Sequence, residues 1–194
     1  MPTPMTHAFV GASLSVALPR GLRGLPATTA CAFLAASPDL DIVGFFVGVP
    51  YSNTFGHRGI THGLPFASLV AAGLVFLAIC AGRIARKQSV HLFLGLVVIV
   101  GSHCILDMAT NGGLGVGVLI PFWEDRLFLP FRPIEVSPIR PSRFLTDGFP
   151  VIVTELLWVW MPCITAVILI RSTRDHLWVE KQNGTPEGSR KIKL

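Results

Sequence analysis

Long apolar runs separated by shorter polar connections dominate the chain. Residues 65–82, 90–106 and 150–170 are each long enough to cross a bilayer as a helix, which takes about 17 to 25 mostly apolar residues. Two shorter runs, at about residues 8–18 and 25–37, are marginal as full spans and fit a helical hairpin tucked into a bundle. The pattern predicts an all-α integral membrane protein, a bundle of about four to five transmembrane or membrane-embedded helices.

Composition agrees with this prediction. Only 14% of the 194 residues are charged, against about 25% in a typical soluble domain. The basic residues bracket the apolar runs and form no basic face, so we expect the lipid bilayer and not nucleic acid as partner, despite a net charge of +5. We expect residues 1–172 to form a single membrane-embedded helical domain and residues 173–194 a polar C-terminal tail.

The connections alternate in charge, which predicts how the chain faces. Most lysines and arginines lie between the first and second runs, between the third and fourth, and after the last. Short connections rich in these residues stay in the cytoplasm. The other connections, including a long segment at residues 108–149, are then extracytoplasmic. The chain is predicted to cross the membrane several times.

Side chains with metal-binding atoms gather at one membrane face on this topology. His103 and Asp107 are four residues apart, so a helix presents both on one face. Asp39 and Asp41 follow Pro38, where a helix ending places both carboxylates near one cavity. The whole set at the extracytoplasmic face consists of His7, Asp39, Asp41, His57, His62, His103, Asp107 and Glu155.

Imidazole nitrogens and carboxylate oxygens together suit zinc, manganese or iron. Ionisable groups within or at the edge of a bilayer are costly, so a cluster of them indicates a functional site. A bound divalent cation lowers the pKa of its water from about 15.7 toward about 7 and makes hydroxide available at neutral pH. The pattern therefore predicts a metal site suited to hydrolysis.

Three stretches carry a family resemblance: PDLD, HRGITHGL, and HCILDMATNGG with a following Pro-Phe pair. In this order they resemble the bacterial LexA-regulated, membrane-bound, metal-dependent hydrolase family (YdjM-like inner-membrane proteins). The match covers about residues 6 to 122, with one departure, Gly63 in place of the usual serine. The resemblance implies an inner-membrane hydrolase that acts on a phosphoester, such as a phospholipid or a lipid-linked phosphate.

The resemblance also implies roles for individual residues. Zinc is the expected metal, with manganese or another divalent ion as the alternative, and more than one ion is expected. Asp41, His62 and Arg58 are the expected catalytic residues. Asp41 is expected to be either a metal ligand or a general base, and Arg58 to bind phosphate through two N–H groups of its guanidinium. Thr61, Thr110 and Glu155 are additional candidates. The expected metal ligands are His7, Asp39, Asp41, His57, His62, His103 and Asp107.

Structural alternatives stand beside these roles. Arg58 has the alternative of a salt bridge to Asp39 or Asp41, and Glu155 that of an interhelical hydrogen-bond partner. The segment at residues 119–143, which alternates aromatic residues with arginines, either covers the site and guides a lipid headgroup or only connects two helices along the membrane surface.

Two other functions also remain open. A divalent-metal transporter would place its ligands near the bilayer midplane, often between repeated halves. A non-catalytic membrane protein would use a structural metal, usually closed by four ligands. Seven candidates at helix ends fit hydrolysis better than either alternative.

Overall fold

The computed structural model describes residues 1–138 and 141–183. Within these residues, β-structure is limited to two isolated bridges. The prediction of an all-α membrane protein is confirmed. Three helical stretches are long and apolar enough to cross a membrane: Leu25–Phe46, Arg86–Met108 and Ser142–Thr173. The helices are α1 (Pro4–Leu14), α2 (Leu25–Ala36), α3 (Val43–Phe46), α4 (Leu64–Cys80), α5 (Ser89–Met108), α6 (Pro141–Glu155) and α7 (Met161–Asn183).

Two helix boundaries differ from the prediction. A 3₁₀ segment, Ser37–Ile42, joins α2 to α3, so the second apolar run continues to Phe46 as a full-length candidate span. The last helix begins at Pro141 and not near Pro150, which lies inside α6. Hydropathy detects only the apolar part of such a helix, and the charged first half of α6 hides its start.

The C-terminal region continues the last helix. Helix α7 runs to Asn183, so the first part of the predicted tail at 173–194 is helical. Residues 184–194 lie outside the described residues. The division into one domain and a tail stays a prediction.

The first two helices form the expected hairpin, and their backbones approach closely. A Cβ atom at Gly11 would lie 2.3 Å from the carbonyl oxygen of Cys31, so no larger residue fits at this crossing. Helices α2, α4 and α5 pack around a core that includes Ala35, Ala71 and Ile99, all nearly fully buried. Small residues at such contacts let membrane helices pack tightly.

The alternating direction of the helices brings their polar ends together. The start of α1, the end of α2, the start of α4 and the end of α5 lie at the same end of the bundle, because the residues there contact one another. The basic connections between α1 and α2 and between α4 and α5 are therefore at the opposite end.

Two long connections fold over this polar end. The Arg126 guanidinium donates hydrogen bonds to the carbonyl oxygens of Tyr51, Asn53 and His57, at 3.0 to 3.1 Å. The backbone N–H of Gly117 donates to the carbonyl oxygen of Arg58. Part of the segment at 119–143 thus covers the loop that carries the histidines; residues 139 and 140 lie outside the described residues.

Candidate metal centre

Five buried side chains from separate elements meet at the polar end of the bundle. His7 lies in the first turn of α1, and Asp39 in the 3₁₀ segment that follows α2. His62 ends a short 3₁₀ turn just before α4, while His103 and Asp107 lie in the last turns of α5. All five side chains are at least 93% buried. The structure brings together residues that are up to 100 positions apart in the sequence.

Each of the three imidazoles contacts both carboxylates. The Nε2 atom of His103 lies 3.3 Å from Asp39 and 3.9 Å from Asp107, and that of His62 lies 3.6 and 3.5 Å from the same two groups. His7 Nε2 lies 3.4 Å from Asp107 and 4.0 Å from Asp39. Ligand atoms at about 2.0–2.2 Å from one zinc ion lie roughly 3.3–3.6 Å apart in a tetrahedron. The observed spacing fits atoms that share one ion.

The atoms that face one another accept or donate no hydrogen bond in the described part of the chain, although Asp107 also has an ion pair with Arg58. Within the described residues, Nε2 of all three histidines and both oxygens of Asp39 and Asp107 are buried without a hydrogen bond. Buried polar groups are nearly always hydrogen-bonded, so a cluster of unpaired ones points to a missing ligand. The His103 ring donates from Nδ1 to the carbonyl oxygen of Ala35 at 2.7 Å, which leaves Nε2 with a lone pair for a metal. The residues present therefore fit a divalent metal ion.

Asp41 lies one layer outside these five residues. Its carboxylate contacts Nδ1 of His62 at 3.1 Å and Nδ1 of His57 at 2.7 Å, and it accepts a hydrogen bond from the Thr61 hydroxyl at 2.8 Å. A carboxylate that holds the far nitrogen of a metal-binding histidine fixes the orientation of the ring. Asp41, His57 and His62 also form a second group able to hold an ion, but Asp41 already bonds both rings. Direct metal binding by Asp41 and His57 stays a prediction.

The His62 ring shows the electrostatic character of the centre. Burial alone would lower the pKa of His62, but the carboxylates of Asp39 and Asp41 outweigh burial and raise that pKa from 6.5 to about 9. The surroundings of this ring thus stabilise positive charge. A bound cation would meet the same favourable field.

Arg58 is fully buried and directed at Asp107. Its Nε lies 3.0 Å from the Asp107 carboxylate, Nη1 donates to the carbonyl oxygen of Gly112 at 2.8 Å, and Nη2 donates to the Thr110 hydroxyl at 3.0 Å. Arg58 forms a salt bridge, but the expected partners Asp39 and Asp41 are wrong, since the partner is Asp107. The Arg58 backbone has φ 61°, a left-handed conformation that costs a non-glycine residue about 1–3 kcal/mol. Gly113 contacts the guanidinium so closely that a Cβ there would lie 2.6 Å from Nη1.

An open pocket lies beside the centre. It has a volume of about 500 Å³, and His57 and Arg58 lie at its polar side, with Tyr51 and Phe45 among its other walls. Ring centroids of Tyr51 and His57 are 5.4 Å apart, so the pocket has an aromatic wall beside an imidazole. The five residues of the centre do not line this pocket; Arg58, which pairs with Asp107, lies between the pocket and the centre.

Glu155 belongs to a separate network. Its carboxylate accepts hydrogen bonds from the Thr3 backbone N–H, from the Thr3 hydroxyl at 2.8 Å and from the Thr6 hydroxyl at 2.6 Å. The indole of Trp160 donates to the same Thr6 hydroxyl at 2.7 Å. A π-helical turn, Leu156–Trp160, separates α6 from α7, and such a widened turn brings residues five apart to one face. The interhelical alternative for Glu155 is the one observed: it ties the last helix to the start of α1.

Glu155→Gln is expected to lower the stability of the protein and leave its metal content unchanged. The amide keeps one accepting oxygen where the carboxylate has two, so bonds from Thr3 and Thr6 must be reversed or lost, and a lost buried hydrogen bond costs about 1–3 kcal/mol. Thermal unfolding in detergent, followed by helical circular dichroism, measures the loss, with the exposed Glu124→Gln as the control. Loss of metal from a stably folded Glu155→Gln protein would contradict this assignment and make Glu155 a ligand.

Several contacts of the centre have no signal in the sequence. The carbonyl oxygens of Ala35 and Gly112 hold the His103 ring and Arg58, and any residue provides a carbonyl. The clamp formed by Arg126 has no sequence signal either, because its partners are three carbonyl oxygens in a distant loop. Thr110 was a candidate for the site itself, and the structure places it as a support: it accepts from Arg58 and donates to the Asp107 carbonyl oxygen.

Comparisons with known proteins agree with the motifs. The family model described as YdjM inner membrane protein matches residues 1–177. The inner membrane protein YbcI of Escherichia coli (strain K12) is 42% identical over 165 residues, which cover 84% of this chain and 92% of that protein. No solved structure matches. A match over nearly the whole chain, together with the apolar helices, supports an inner-membrane location. The chain belongs to the YdjM family of inner membrane proteins.

Proposed function

We propose that this protein is a membrane-bound, metal-dependent hydrolase of a phosphoester carried by a lipid. The observation that carries the proposal is the buried meeting of three imidazoles and two carboxylates whose facing atoms have no hydrogen bond among the described residues. Keeping such groups unpaired within a membrane protein is costly unless they bind a ligand. Hydrolysis accounts for the adjoining open pocket, which a purely structural metal does not require.

The metal ligands in this proposal are His7, Asp39, His62, His103 and Asp107. A divalent ion held there, zinc or manganese, would supply an activated water and would polarise a phosphoryl oxygen. Asp41 holds His62 in orientation through its Nδ1 atom, and Arg58 holds Asp107. A second ion at Asp41, His57 and His62 stays a prediction, because it would have to displace the hydrogen bonds there.

His57 is the residue placed to move a proton. Asp41 binds its Nδ1 atom at 2.7 Å, and its ring lines the open pocket, which leaves Nε2 to exchange a proton with a molecule bound there. In this proposal, His57 protonates the leaving oxygen of the ester. Arg58 contributes positive charge beside the pocket while it remains paired with Asp107.

The site is proposed to face the extracytoplasmic side. The polar ends that carry the centre lie opposite the connections that contain Arg20, Arg23, Arg83, Arg86 and Lys87. Short basic connections remain in the cytoplasm.

Hydrolysis of two defined lipids tests the proposal. Purified protein in detergent micelles is given dioleoyl phosphatidate, a phosphomonoester, or dioleoyl phosphatidylglycerol, a phosphodiester, with added zinc or manganese. We expect the protein to hydrolyse one of them, and a chelator to stop the reaction. His103→Gln should lower kcat/KM by at least about 100-fold, since a metal stabilises the transition state by several kcal/mol.

The control comes from the same helix. His91 lies in the first turn of α5, exposed and far from the centre, so His91→Gln should keep full activity. If a metal-loaded protein hydrolyses neither lipid, the phosphoesterase proposal is wrong. Equal activity of His103→Gln and His91→Gln would show that hydrolysis does not use this centre.

A further inference from the structure

A second cavity lies on the membrane side of the bundle. It is an apolar groove of about 420 Å³ between α1, α5, the π-helical turn Leu156–Trp160, the start of α7 and the first residue of α4. Its walls include Val10, Leu14, Val97, Leu106 and Val159. The only side-chain hydroxyl among its lining residues, that of Ser102, already donates to the carbonyl oxygen of Ile99 at 2.7 Å. The groove therefore offers a bound molecule mainly hydrocarbon contacts, and the hydroxyl hydrogen of Ser102 is already used.

The groove has the length of one membrane leaflet. Its lining on α5 runs from Val97 to Leu106, which at about 1.5 Å per residue is roughly 14 Å of helix. Half of a hydrocarbon core about 30 Å thick is roughly 15 Å. Val98 and Ile105, which line the groove, are more than half exposed and lie on one helix that is a candidate membrane span. The groove thus opens to the lipid side.

One end of the groove borders the metal centre. Leu64 follows His62 by two residues, and Ser102 and Leu106 are the sequence neighbours of His103 and Asp107. From there the groove descends along α5 to the middle of the helix. A chain in this groove would have its polar end at the end of the bundle that carries the centre and its apolar end at mid-bilayer.

We propose that the groove binds one acyl chain of a membrane glycerophospholipid and positions its phosphate at the metal centre. The occupant is a lipid because the walls are apolar, the opening faces lipid and the length is that of one leaflet. Chain binding stands on this geometry; delivery of the phosphate for cleavage rests on the proposed hydrolysis.

Gly101 determines how much space is available at the end of the groove nearest Leu64. A Cβ added there would lie 3.2 Å from the Cδ2 atom of Leu64, so a larger side chain would occupy the space available to a lipid. We expect Gly101→Leu to weaken the binding of dioleoyl phosphatidate at least 10-fold. Native mass spectrometry of the purified protein, titrated with this lipid in detergent, counts the lipids retained on each chain.

The matched control is Gly73→Leu in α4. A Cβ at Gly73 meets nothing within 4 Å, and the residue is exposed on an apolar helix. Gly73→Leu should bind the lipid as the unmodified protein does. If Gly101→Leu does not fold, Cys163→Phe fills the groove from α7 and is expected to have the same effect.

The activity readout separates this inference from the proposed hydrolysis. Filling the groove should lower the ratio of kcat/KM for dioleoyl phosphatidate to that for short-chain dibutyryl phosphatidate at least 10-fold. If the groove-filling variants lose lipid binding and even the unmodified protein hydrolyses neither lipid, the groove proposal is supported and the hydrolase proposal is rejected. Unchanged lipid binding by both Gly101→Leu and Cys163→Phe would overturn the proposal that the groove binds lipid. Spectra in which these variants lose a dimer and not a lipid-bound species would also overturn it, since the occupant of the groove would then be a second chain.

Discussion

Asp39→Asn is expected to leave the bundle folded and to strip it of tightly bound divalent metal. Altering a residue that only supports a ligand typically costs about 10–100-fold in metal affinity, so losing a ligand itself should raise Kd by at least about 100-fold. Elemental analysis by mass spectrometry, after dialysis against metal-free buffer, gives the metal content per chain. The unmodified protein should keep its metal and the variant should lose it.

Asp39 isolates metal binding better than the other carboxylate does. Both Asp39 oxygens are buried and have no hydrogen bond within the described part of the chain, so an amide of the same shape removes no protein contact except those to the imidazoles. Asp107 also pairs with Arg58, and its replacement would leave a buried cation behind. Asp125→Asn, at an exposed position, is the matched control for loss of one acidic charge.

Thermal unfolding gives an independent readout of the same variant. A ligand present at 100 times its Kd stabilises the folded state by about 2.7 kcal/mol. Added zinc should therefore raise the unfolding temperature of the unmodified protein and of Asp125→Asn, but not that of Asp39→Asn. A metal-dependent rise that survives in Asp39→Asn would contradict the centre as assigned. The metal would then be assigned to the neighbouring group of Asp41, His57 and His62.

Hydropathy and loop charge alone predict that the side chains of the centre lie at one end of the bundle, where the structure has them. His7, His62 and His103 are far apart in the sequence, but each lies where an apolar run begins or ends. Antiparallel helices necessarily bring alternate ends together, so the meeting of these residues could be predicted without coordinates. The i, i+4 spacing of His103 and Asp107 predicted their common face for the same elementary reason.

The division of labour among the gathered residues could not be predicted. Whether a carboxylate faces the centre or supports it depends on a rotation of the 3₁₀ segment that carries Asp39 and Asp41, and no periodicity of the sequence encodes that rotation. Glu155 lies at the predicted end of the bundle, but it is the last residue of α6 and not one turn inside the last helix, and its partners are the hydroxyls of Thr3 and Thr6, which bind metals poorly. The choice of Asp107 as partner of Arg58 depends on a left-handed residue in a loop.

Arg58→Met is expected to be the most destabilising single change at this end of the protein. The variant leaves the Asp107 carboxylate buried without its cation, and breaking a buried ion pair from one side costs about 3–5 kcal/mol. It also removes the donors to the Gly112 carbonyl oxygen and to Thr110. Thermal unfolding of the metal-free protein in detergent measures the effect. Arg132→Met serves as the control, because Arg132 is exposed and stacks on Phe128.

Metal should offset part of this loss. A divalent ion beside Asp107 supplies the positive charge that Arg58 no longer provides, so added zinc should stabilise Arg58→Met by more than it stabilises the unmodified protein. Arg58→Lys should fall between the two, since an ammonium keeps the charge but lacks the planar fork that reaches Asp107, Gly112 and Thr110 together. A different result would follow if Arg58 served substrate phosphate alone: Arg58→Met would unfold at the same temperature as Arg132→Met and would differ from it only by a raised KM. Because the guanidinium is fully buried and already has three protein partners, we expect the loss of stability.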